Sequence, residues 1–96
     1  MRPSTALSTH REAIRRIVAA HRATNPRVFG SVLYGADTEG SDLDLLVDPL
    51  EGTTLFDLGG IVYELEQLLG VPIDLLTPKA ISRHFRDDVI AQAQPV

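Results

Sequence analysis

A chain of 96 residues with 44% hydrophobic content sets the expectation of a single domain, residues 1–96, with one core burying roughly 65% of the surface the unfolded chain exposes. The absence of cysteine excludes a disulfide scaffold and a thiolate metal site. No apolar run reaches membrane-spanning length and no apolar segment follows Arg2, so a soluble, cytoplasmic protein with no membrane partner is expected.

Thr9 followed by Glu12 has the form of a capping box. Ile14, Ile17, Val18 and His21 then recur at helical spacing as far as Asn25-Pro26, which predicts a first helix. Its Arg11, Arg15, Arg16 and Arg22 read most simply as a solvated face, with a docking face for an acidic partner as the alternative. Arg27-Val28-Phe29 is a short strand leading into Gly30-Ser31, after which residues 32–36 make at most a short helical turn. Residues 37–41 form a loop, and residues 43–47 form a strand closed by Pro49. Leu55, Leu58, Ile61, Val62, Leu65, Leu68 and Leu69 trace a second helical stripe, with Thr54 placed to cap its start and Gly70 its end. Gly59 and Gly60 inside it cost about 1 kcal/mol each relative to alanine, which predicts close packing against a neighbouring backbone. Residues 71–76 read as a third strand containing Asp74. Thr77-Pro78 opens a last helix bearing Ile81, Phe85, Val89 and Ala93. The order αβαβαβα predicts α/β layer packing, with about three strands and helices against them.

Formal charge is unevenly spread along this frame, which totals -4: residues 1–36 carry six arginines against Glu12, while residues 37–74 carry ten acids and no Lys or Arg. Such a middle third is a poor surface for a bare phosphate backbone, so autonomous nucleic-acid binding is not expected. Within it, Asp42, Asp44 and Asp48 share one side of a strand whose other side holds Leu43, Leu45 and Val47. Carboxylates crowded in this way call for a positive partner. Asp42 and Asp44 have Cα atoms about 6.6 Å apart, so both side chains reach one point, and Asp74 joins them if its strand is a neighbour. Oxygen ligands of this kind suit Mg2+, which binds through one or two carboxylates together with substrate phosphate and water. Upstream, Gly30 lets backbone approach a ligand closely, and Ser31 offers a hydroxyl and an N–H at the start of a turn, half of a phosphate cradle.

The pattern G-S-x10-D-x-D, here Gly30-Ser31 through Asp42 and Asp44, followed by Asp74, resembles the DNA polymerase beta-like nucleotidyltransferase superfamily. The short length and element order are similar to its minimal nucleotidyltransferase branch, the antitoxins of HEPN-domain toxins. That resemblance implies a small mixed sheet packed by helices, classed as α+β in some schemes. It also implies transfer of AMP from ATP to a tyrosine hydroxyl of a HEPN toxin, with two Mg2+ ions as cofactor. By the same resemblance Asp42 and Asp44 bridge the ions, Asp74 completes the metal site and takes the acceptor's proton, and Gly30 with Ser31 binds the β- and γ-phosphates. Members often carry Arg or Lys three positions after the motif serine, where this chain has Tyr34. Arg15, Arg16 or a partner's residue would then have to face the leaving pyrophosphate, or the chain is a catalytically silent antitoxin that neutralises its partner by binding. Homo-oligomerisation is left open by the pattern.

Other motifs fit less well. A calcium loop starting at Asp37 would place Asp42 where the tight turn wants glycine, and a strand follows it instead of a helix. A P-loop starting at Gly30 lacks its lysine, since Ala36-Asp37 stands there. Asp48, beside Pro49, reads as a turn acid, and Asp57 complements its helix dipole. His10, His21 and His84 have no ligand spacing.

Overall fold

In the computed structural model, which describes residues 1–96, α1 (Pro3–Thr9) and α2 (Arg11–Ala20) precede β1 (Ala23–Phe29) and β2 (Leu43–Pro49). Then come α3 (Leu55–Leu69), β3 (Ile73–Leu76), a 3₁₀ turn (Pro78–Ala80), α4 (Arg86–Gln92) and β4 (Gln94–Pro95). The strands form one mixed sheet in the order β3-β2-β1-β4. β1 is antiparallel to both β2 and β4, while β2 and β3 run parallel. A parallel pair needs a crossover of a dozen or more residues, and α3 supplies it.

Alternation along β2 decides the layers. Leu43, Leu45 and Val47 meet Ile14 and Val18 of α2 and Ile61 and Leu65 of α3, all fully buried. Each such leucine contributes about 1.5–3 kcal/mol of transfer free energy. On the opposite face, Leu46 is also fully buried, against Ile81, Ala93, Phe29 and Val89. The aspartate face is therefore apolar at its middle and covered there by the C-terminal segment.

Local chemistry sets the ends of α3. Thr54 Oγ1 accepts from the Asp57 N–H at 3.3 Å and Asp57 Oδ2 accepts from the Thr54 N–H at 2.9 Å, a capping box. The backbone bond from Thr54 holds the Asp57 carboxyl below its ordinary pKa. Asp57 thus does more than complement a dipole. Gly70 closes the helix at φ +70°, its N–H donating to the Glu66 carbonyl at 3.0 Å.

Several expectations are corrected. Thr9 caps nothing, because α1 precedes it: its hydroxyl donates to the Thr5 carbonyl at 2.8 Å, and the N-cap of α2 is His10, whose Nδ1 lies 3.1 Å from the Ala6 carbonyl and makes no capping bond. Glu12 pairs with Arg15 instead. That helix ends at Ala20, where Arg22 turns the chain at φ +61°, so β1 starts before Asn25-Pro26. There the ladder slips, with Asn25 at φ +54° and Pro26 lacking an N–H. Residues 31–35 are turns and not a helix, and Pro49 ends β2 from within. The last helix is broken: buried Ile81 is extended, and Arg86 donates to the Pro78 and Ile81 carbonyls at 2.7 and 3.1 Å. β4 is a fourth strand, added to β1.

The two helix glycines divide. A Cβ on Gly60 would lie 2.6 Å from the His21 ring, whose Nε2 stands 3.2 Å from Glu64, while a Cβ on Gly59 meets nothing. Gly59→Ala is expected to stabilise the protein by about 0.5–1 kcal/mol. Gly60→Ala must push the ring off Glu64, with a net cost of about 1 kcal/mol. Urea denaturation of the two variants checks the opposite signs.

Candidate active site

The strand ladders bring the predicted residues to one end of the sheet. In the parallel pair, Asp44 is level with Asp74, and across the antiparallel pair it faces Phe29. Partners in register share a face, so the Asp74 and Asp44 side chains project together, and Asp42 precedes them on the same side. Gly30 follows Phe29 at φ +72°, and a Cβ there would lie 2.1 Å from Asp44 Oδ2. Only glycine leaves that carboxylate its place. From Gly30 the chain folds back through bonds from the Leu33 N–H to the Gly30 carbonyl and from the Ala36 N–H to the Ser31 carbonyl, 3.1 and 2.9 Å. Ser31 thus sits at the head of a turn whose first residue abuts Asp44.

Electrostatics mark Asp44 as the centre of the cluster. Its carboxyl is pushed up to about 6, first by burial, then by the charges of Asp74 and Asp42; the Asp74 carboxyl is close enough to share a hydrogen bond with it. The structure's ion pairs leave all three without a cation, involving Glu39, Asp37, Glu12, Glu64 and Asp48 instead. Asp48 on the same face differs: Arg27 donates to it at 2.6 Å and Asn25 at 3.0 Å. The four aspartates therefore split into one neutralised by the protein and three that repel one another.

Such a donor set, all carboxylate oxygen, fits Mg2+ and not a soft metal. The three are neighbours and not a finished cage, since no trio of His, Cys, Asp or Glu side chains already surrounds one point. Asp42 and Asp74 are exposed beside half-buried Asp44.

Beyond Gly30 lies a cleft of about 210 Å³ lined by Phe29, Leu33, Tyr34, Val89 and Gln92. The Tyr34 hydroxyl donates to Gln92 Oε1, tying the turn to α4. Neither Arg15 nor Arg16 takes the place of the missing base. α2 packs on the opposite face of the sheet, where Arg15 bonds Glu12 and the Val96 carbonyl, and Arg16 lines a groove with Tyr63 and Glu64. The residue that motif reading passed over is Asp37, taken only as a loop acid. It is buried against Arg2 and Ser4, more than thirty positions away, and nothing local in the sequence signals that contact.

Comparison with known proteins follows the same lines. A family model described as a nucleotidyltransferase domain matches residues 7–95. A candidate protein adenylyltransferase of Methanocaldococcus jannaschii is 36% identical over 80 residues, covering 83% of this chain and 86% of that protein. Another from that organism is 34% identical over 58 residues, covering 60% and 59%. The solved structure of a candidate minimal nucleotidyltransferase superposes with a TM-score of 0.88 at 42% identity, covering 100% of this chain and 97% of that one. A toxin-antitoxin crystal structure with AMP-PNP gives 0.73 at 19% identity, covering 88% and 69%, a likeness of fold.

A pH dependence follows from Asp44. Its folded pKa lies above the unfolded value of 3.8, so between the two the folded state holds more protons and stability falls as pH rises. Asp37 and Asp57, whose values are lowered, act in the opposite sense and only in more acid solution. In EDTA, the melting temperature is expected to fall from about pH 4.5 to 7. Asp44→Asn should flatten that slope and melt higher than wild type at pH 7, read by thermal unfolding across the range.

Proposed function

The chain belongs to the nucleotidyltransferase domain family, and from that premise we propose that residues 1–96 act as one minimal nucleotidyltransferase domain. It moves AMP from ATP to a tyrosine hydroxyl of a HEPN-type toxin and silences it, a reaction of the cytoplasm. The observation that carries the reading is the register of Asp44 with Asp74 beside Gly30, three carboxylates with no protein cation at the mouth of a glycine-serine turn. The names of the M. jannaschii relatives support adenylyl transfer to protein, and the toxin-antitoxin neighbour with AMP-PNP supports a toxin partner and ATP as donor.

Each residue has a part in the transfer. The turn at Gly30 and Ser31 binds the β- and γ-phosphates through its N–H groups and the Ser31 hydroxyl, while the missing Cβ at Gly30 leaves the Asp44 carboxylate its place beside that turn. Asp42, Asp44 and Asp74 hold the Mg2+ ions, which when bound stabilise the charge on the attacking and leaving oxygens. The acceptor hydroxyl oxygen bonds to the α-phosphorus as the bond to the bridging oxygen of the β-phosphate breaks. Pyrophosphate leaves with that electron pair, and the hydroxyl proton passes to Asp74.

One observation favours a second reading. Tyr34 stands where a base would face the triphosphate, and its hydroxyl is engaged with Gln92. A silent antitoxin that blocks its partner by binding would tolerate that.

The test mixes the protein with its toxin, Mg2+ and α-labelled ATP. Label is expected on the toxin, lost with EDTA and reduced at least about 100-fold in Asp42→Asn, Asp44→Asn or Asp74→Asn. Tight complex formation without label selects the silent module.

A further inference from the structure

The most buried carboxylate in the chain has no part in the transfer chemistry. Asp37 is 3% exposed, and its side chain is wholly covered. Oδ1 accepts from Arg2 Nη2 at 3.0 Å and Oδ2 from the Ser4 N–H at 2.9 Å, 35 and 33 residues back in the chain. The Ser4 bond lowers its pKa against the opposing effect of burial, with Arg2 adding to the lowering, so the group is a carboxylate at neutral pH. Burying a charge requires full pairing, and these contacts provide it. Removing either leaves the carboxylate short of a partner.

Its place in the chain gives that burial a use. Asp37 lies between the turn that begins at Gly30-Ser31 and Asp42, the residue just before β2. Immediately after it, Thr38 and Ser41 close a tight turn: the Thr38 N–H donates to Ser41 Oγ at 2.8 Å, and the Ser41 N–H donates to the Thr38 carbonyl at 3.0 Å. Asp42 follows at once, and the next residue, Leu43, donates its N–H to the Pro72 carbonyl at 2.8 Å, one strand over. Asp42 therefore hangs between two fixed points. Downstream it is held by the β2–β3 ladder, and upstream by a turn whose only buried anchor is Asp37, bonded to Ser4 of α1 and to Arg2 before it. The loop has no apolar side chain to pack, since residues 38–41 are Thr, Glu, Gly and Ser, and three of the four are exposed. Its position depends on polar contacts, the buried ones at Asp37 and one exposed ion pair between Glu39 and the N-terminal ammonium at 3.1 Å.

We propose that Asp37 is a positioning residue: its bonds to Ser4 and Arg2 fix the loop that delivers Asp42 to Asp44 and Asp74. The α1 helix then has a function in the site although it lies far from it in sequence. This rests on Asp42 being a metal ligand, as proposed above. A ligand released from its supporting contacts loses cation affinity even when the fold survives, and the loss on removing such a partner is typically about 10- to 100-fold.

The readout is Mn2+ binding to the free protein, measured by the decrease of the free-ion electron paramagnetic resonance signal, together with hydrogen exchange of the residue 38–42 amides. Asp37→Asn and Arg2→Gln are expected to weaken Mn2+ binding about 10-fold and to speed exchange in the loop. Arg2→Lys, which keeps a cation beside Asp37, is expected to restore most of the affinity. Val18→Ala, a truncation in the fully buried core near Ala23, at the opposite end of β1 from Gly30, controls for stability: it should lower the melting temperature and leave Mn2+ binding as in wild type. If Asp37→Asn does not fold, Arg2→Gln decides. Wild-type Mn2+ affinity in Asp37→Asn and Arg2→Gln overturns the role of Asp37 alone. A wild-type protein that takes up no Mn2+ overturns the underlying reading of Asp42 and this role with it.

Discussion

Repulsion among carboxylates held on one face of a parallel strand pair is the constraint around which this small fold is arranged. Two strands in parallel register put Asp74 level with Asp44, and nothing in the chain neutralises them. The energy to hold them there comes from the other side of the same strands. Leu43 and Leu45, which flank Asp44, are fully buried between the sheet and the helices, and a slip of one residue would exchange the two sets of side chains. The hydrophobic core and the acidic cluster are thus one register seen from opposite faces.

The neighbouring charge on the same strand shows what the site would be without a ligand to bind. Asp48 lies four residues on from Asp44 and has an internal cation, because the register shift at Asn25 and Pro26 sets Arg27 level with Leu46, on the same face and within reach of Asp48. Between the two acids, Leu46 packs under Ile81 and Ala93. The face therefore changes along one strand from a cluster that invites an external cation, through an apolar plug, to a pair that is already satisfied. The segment after β3 provides the plug and, through Gln92, also holds the Tyr34 turn next to Gly30.

Much of this was legible in the sequence, and the parts that were not have physical reasons. β2, α3 and a strand carrying Asp74 follow from period-2 and helical patterning, with Thr54 and Gly70 marking the helix ends, while the parallel pairing of that strand with β2 is a long-range contact that the pattern left open. Gly30 and the paired aspartates could be read because glycine and carboxylate are chemically specific. Elements that depend on distant partners were not readable. Thr9 looks like an N-cap only if α1 is not there. The last helix breaks because Ile81 is drawn into a core formed with Leu46, thirty-five positions earlier, and Gln94–Pro95 pairs as a strand only because β1 offers an open edge. Asp37 looks like any loop acid until Ser4 and Arg2 are placed against it.

Diffraction from crystals grown with Mn2+ and a non-hydrolysable ATP analogue tests the central claim most directly. Anomalous peaks are expected among the Asp42, Asp44 and Asp74 carboxylates, with the triphosphate tail against the turn at Gly30 and Ser31. Ions bound elsewhere, or a triphosphate that avoids that turn while the three carboxylates remain bare, would contradict it.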